Sequence, residues 1–81
     1  MDNLYAISDQ DNKLILIKAT DAISVVPVFR ERIHAQEYIN TAISETYRRD
    51  FTAVEFSLAM FDLSRSWADK SEIELFVHVY D

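Results

Sequence analysis

Glycine and cysteine are both absent from this chain of 81 residues, and proline occurs once. Average usage would supply about five or six glycines at this length. A phosphate-cradling loop and a dinucleotide fingerprint both need glycine, because their backbones approach the ligand closely or take positive φ. The strained turn that presents a nucleophilic serine between two glycines is excluded with them. Without cysteine there is no disulfide framework, thiolate nucleophile or cysteine metal cage. Long apolar runs are missing too, so no stretch is suited to span a membrane. The opening Met1-Asp2-Asn3 lacks the basic region and apolar stretch of a signal peptide. The expectation is a cytoplasmic chain without cofactor or membrane attachment.

What is present is ordinary for a globular fold. The 49% hydrophobic and 27% charged content is too apolar for disorder. Residues 1–81 have the length of one small domain, with room for one sheet and a helix or two. Fourteen acids against eight bases leave a net charge of −6.

Turns must fall to Asp and Asn, as in Asp9-Gln10-Asp11-Asn12. That turn separates two β-prone runs, Leu4 to Ile7 and Lys13 to Lys18, which read as a hairpin. Ile23 to Phe29 is a third strand, and Pro27 predicts that it lies at an edge or a bulge. From Glu31 to Tyr47 the period becomes helical, with Ala35, Ile39, Ala42 and Ile43 in one stripe. Val54, Phe56 and Leu58 alternate as a half-buried strand, and Ser57 is a candidate cap for a second helix reaching about Asp69. Met60, Leu63 and Trp67 form the expected inward stripe of that helix. Ile73 to Tyr80 alternates again, with Ile73, Leu75, Val77 and Val79 on one face. The expected fold is α+β, in the order βββαβαβ. It has about five mostly antiparallel strands, with two helices on one face.

Several of these strings carry a resemblance. Leu4-Tyr5-Ala6-Ile7 precedes an acidic turn, and Val26-Pro27-Val28-Phe29 leads into a helix with Ala35 and Tyr38. Val54-Glu55-Phe56-Ser57-Leu58 opens a second helix, and an apolar strand closes the chain. In this the sequence resembles a family of small uncharacterised bacterial proteins and the N-terminal part of SseB-type proteins. The resemblance implies a fold and a bacterial setting, and no catalytic residues.

The candidate chemistry is thin. Asp9-x-Asp11 begins like a calcium loop, but Leu14 and Thr20 stand where glycine and glutamate are required. His34 and His78 are the only imidazoles, on different elements and without metal-ligand spacing. Arg30, Arg32, Arg48 and Arg49 flank the first helix, yet the chain as a whole is acidic and repels a polyanion. No catalytic, cofactor or metal residues are assigned, and direct nucleic-acid binding is not expected.

The acidity itself points to a function. Residues 50–81 hold Asp50, Glu55, Asp62, Asp69, Glu72, Glu74 and Asp81 against Arg65 and Lys70. Opposite potentials speed association and set specificity, so a basic protein is the expected partner. The expected function is a non-enzymatic protein-binding module, most concretely a stoichiometric inhibitor of the immunity, antitoxin-like or phage-encoded kind. The alternatives are a self-associating accessory or scaffold domain and, further off, a nucleic-acid mimic. With the helices on one face, Phe76 and Tyr80 fall on the other beside His78 and Glu74, joined by Val26 and Val28. Glu55, Glu72, Glu74, Phe76, His78 and Tyr80 are therefore the candidate partner-binding residues, for a foreign protein or a second copy of the chain.

Overall fold

The computed structural model describes residues 3–80. Its elements are β1 (Tyr5–Ser8), β2 (Ile17–Lys18), β3 (Ile23–Phe29), α1 (Arg32–Ala42), β4 (Thr52–Glu55), α2 (Leu58–Lys70) and β5 (Glu74–Tyr80). A turn of 3-10 helix at Arg48–Asp50 precedes β4. The class, the strand count and the order βββαβαβ are those the sequence pattern predicts.

β3 organises the sheet. Along one edge it pairs in parallel with β5 over all seven residues, from Ile23 opposite Glu74 to Phe29 opposite Tyr80. Its other edge is shared, with Val25 opposite Ile17 of β2 and Phe29 opposite Tyr5 of β1. β1 then pairs antiparallel with β4. The expected hairpin between the first two runs is brief. Ser8 bridges Leu14, and the chain then leaves β1 to join β3. Pro27 lies in this central strand rather than at an edge. It occupies the interval where β3's neighbour changes from β2 to β1, a ladder interruption that tolerates a missing amide hydrogen.

The two helices lie on opposite faces, not on one. Successive side chains of a strand point to opposite faces, and the buried residues sort accordingly. Ile7, Phe29 and Ala53 pack with Ala35 and Ile39 of α1. Ala6, Val26 and Val28, one residue away in each strand or its neighbour, pack with Leu14, Met60 and Phe61 on the α2 side. The reason is visible in β1 and β3, where both faces are apolar, as a sheet covered on both sides requires.

Both helices differ in detail from the sequence expectation. α1 ends at Ala42, where Ile43 turns extended, and Arg48 Nε donates to the Ile43 carbonyl at 2.9 Å. Ala42 is exposed, while Ala35 and Ile39 are fully buried. α2 has Ser57 as its N-cap, accepting from the Met60 amide at 3.2 Å. Its inward side is Met60, Phe61, Ser64 and Ala68, so Leu63 and Trp67 are turned outward. No helix among the described residues is long and apolar enough to cross a membrane.

Candidate protein interface

The turn between α2 and β5 shows how a glycine-free chain closes a helix. The Ile73 amide donates to the Ala68 carbonyl at 2.8 Å, and the Glu72 amide reaches the Asp69 carbonyl at 3.2 Å. This is the Schellman arrangement, whose pivotal residue takes a left-handed conformation and is usually glycine. Glu72 fills that position at φ 59°. Its carboxylate is exposed at the head of β5 because the backbone turn puts it there.

β5 carries four of the other candidates. Glu74, Phe76, His78 and Tyr80 all point to the α1 face, the face of Phe29. They meet different surroundings along the strand. Tyr80 stacks on Phe29 with centroids 5.2 Å apart and lies 6.1 Å from the Tyr38 ring, so it is part of the packed layer under α1. Burial raises the Tyr38 phenol above its ordinary pKa of 10.0, and the neighbouring Tyr80 adds to that. His78 sits edge-on to Tyr80 at 4.6 Å. Phe76 lies beyond the helix, beside Val25 and, through it, Ile17.

Two expected members of this surface lie elsewhere. Val26 and Val28 are fully buried on the α2 face, and Val25 takes their place beside Phe76. Glu55 belongs to β4, at the far edge of the row Tyr80–Phe29–Tyr5–Glu55. Three strand spacings separate it from Tyr80, about 14 Å. It shares their face but not their patch.

Sequence reasoning missed a concavity beside α2. A groove of about 360 Å³ runs between the segment Asp11 to Leu16 and α2, with Leu14, Leu16, Leu63 and Trp67 as its apolar lining. One wall is shaped by Asp9, whose carboxylate accepts from the Asp11 and Lys13 amides at 2.9 and 3.0 Å. Asn12 at φ 62° completes that turn. The other wall is the outward stripe of α2, where Leu63 is 71% and Trp67 54% exposed. The helix by itself offers two lines of comparable spacing. Phe61 and Ala68, seven residues apart, define an inward line that leaves Leu63 and Trp67 on the flank.

Two of the bases have specific partners. Arg32 lies over the Tyr5 ring at 5.0 Å and donates to the Ala53 carbonyl, and Lys18 pairs with Asp21 at 3.1 Å. Among the described residues no salt bridge joins a base to Glu55, Asp62, Asp69, Glu72 or Glu74. His34 stands 3.5 Å from Glu31, away from His78 on β5. No three His, Asp or Glu side chains among the described residues are grouped to hold a metal ion.

No protein-family model matches the chain, and no curated protein matches it in sequence. Among solved structures it is similar to Tic22 of Anabaena, a protein of protein transport, at a TM-score of 0.66 and 12% identity. The similarity covers 98% of this chain and 42% of that one, so this chain spans less than half the length of its neighbour. The structural likeness found is thus to Tic22 rather than to an SseB-type protein.

Proposed function

We propose that the chain is a non-enzymatic protein-binding module of the cytoplasm, acting as a stoichiometric inhibitor of a basic protein. The observation that supports this most is the groove beside α2. Burying a leucine or aromatic side chain is worth roughly 1.5–3 kcal/mol, and Leu63 and Trp67 leave most of that unrealised in the isolated chain. Exposed aromatic anchors beside an apolar pocket are the residues that carry binding energy in protein interfaces. The net charge of −6 supplies the long-range field that draws a basic surface toward them. A partner segment with cationic flanks and one apolar side chain fits both features, the side chain entering between Leu16 and Trp67. Immunity, antitoxin-like and phage-encoded inhibitors are proteins of this kind. A nucleic-acid mimic ranks lower, because a charge of −6 is modest for that role. The Tic22 likeness is one of fold, and its protein transport shares with this reading only the theme of polypeptide contact.

Affinity capture from the native host with the parent and a Leu63→Ser/Trp67→Ser variant tests the proposal. Both side chains are exposed, so the two proteins should melt alike. The expected result is one basic protein held one-to-one by the parent and lost from the variant. Equal capture by both proteins, or an acidic partner, contradicts it.

A further inference from the structure

β5 has a partner on one side only. Its seven residues pair with β3 without interruption, and among the described residues nothing bonds to the outer edge. Exposed strand edges are usually blunted by proline, lysine, a bulge or a covering loop. Glu-Leu-Phe-Val-His-Val-Tyr has no proline or lysine, and its register with β3 contains no bulge. Side chains on both faces remain open, with Phe76 51%, Val77 38% and Val79 37% exposed. The residues are β-branched and aromatic, the composition of a strand that pairs well.

We propose that this edge binds a second copy of the chain, β5 running antiparallel to β5 about a twofold axis through Val77. The strand's own sequence selects the occupant. In this register Val77 meets Val77 of the second copy, and Leu75 meets Val79. Phe76 meets His78, and Glu74 meets Tyr80. Every aliphatic residue opposes an aliphatic one, and every aromatic ring opposes an imidazole or the stem of a glutamate. Such cross-strand pairs are the units that stabilise a sheet. Like charges are kept apart, because the single acid of the strand never faces its copy. This matters on a molecule of charge −6, whose copies repel one another on approach. The Val77 register also pairs all seven residues, whereas a shift in either direction leaves strand ends unpaired. The result is one continuous sheet of ten strands, with Phe76 and His78 of both copies clustered on the α1 face. Leu75, Val77 and Val79 of both cover one another on the α2 face. The groove beside α2 is a separate surface, so the dimer and the proposed foreign partner stand or fall independently.

Sedimentation velocity over a wide concentration range tests the association. The parent should move from the 9.4 kDa monomer toward twice that mass as concentration rises. Val77→Lys places two cations on the axis and should weaken association at least tenfold, while Leu63→Ser/Trp67→Ser should leave it unchanged. The absence of native cysteine allows a second test that checks the register. Val77→Cys should crosslink to itself rapidly on oxidation, and Val79→Cys, which faces Leu75 instead, should crosslink much more slowly. A parent that stays monomeric throughout, or equal crosslinking at the two positions, overturns the proposal. Should Val77→Lys fail to fold, the cysteine pair still decides it.

Discussion

Glu72 is the residue at which the missing glycine is felt most. A left-handed backbone costs a residue with a side chain about 1–2 kcal/mol, which glycine avoids. Glycine gives part of that back through its freer unfolded state. Glu72→Gly should therefore stabilise the fold by about 1 kcal/mol and raise its melting temperature by about 4–8 °C. A lower melting temperature in thermal denaturation would show that the Glu72 side chain contributes more than its backbone costs. Tyr38 offers a second test at this scale. Its phenol is held above the ordinary value of 10.0, chiefly by burial and then by Tyr80. The fold thus retains the Tyr38 proton more tightly than the unfolded chain does. That contribution is complete below pH 10 and is lost as pH rises through the folded-state value. Melting temperature should fall above about pH 10, and Tyr38→Phe should flatten that fall. Parallel alkaline profiles for the two proteins would remove Tyr38 from the account.

Among the elements, α2 shows both what the sequence pattern discloses and where it misleads. Ser57 was legible as a cap, and its hydroxyl accepts from the Met60 amide. Ser57→Ala should cost about 1 kcal/mol, read as a lowered midpoint in urea with an unchanged slope. A change in the slope instead would mean that the substitution alters the unfolded or native ensemble rather than the cap. The strands and α1 were legible because period-two and helical spacing survive in a short chain. The inward side of α2 was not, since Met60, Leu63 and Trp67 form as good a stripe as the inward Met60, Phe61 and Ala68 line. Only the position of the loop Asp11 to Leu16 leaves Leu63 and Trp67 as a groove wall. The placement of the helices on opposite faces was equally hidden. β1 and β3 alternate between two apolar sets, which fits burial on either side, and β5 has one continuous aliphatic face. It is an edge strand, so Val77 and Val79 are partly open. Of the candidate site, the four β5 residues share a face as their alternation predicts, but that face carries α1 instead of lying opposite both helices. The distance of Glu55 and the packing of Tyr80 beneath α1 depend on strand order, which local sequence does not encode.

Across the whole molecule, two features act together: an uncompensated negative charge and two apolar surfaces that the chain does not cover itself. In the proposed function the charge acts at a distance and governs encounter, whereas the groove acts in contact and governs residence. Their separation in kinetics gives the most direct test of the proposed function. Stopped-flow association of the chain with the basic protein it captures should be measured across a range of salt. Screening shortens to about 8 Å near physiological ionic strength. The association rate should therefore fall at least tenfold between low and high salt for parent and Leu63→Ser/Trp67→Ser alike, while the variant alone dissociates faster. An association rate independent of salt, or a variant whose dissociation matches the parent, would contradict the reading of this chain as an acidic inhibitor that holds its partner at the α2 groove.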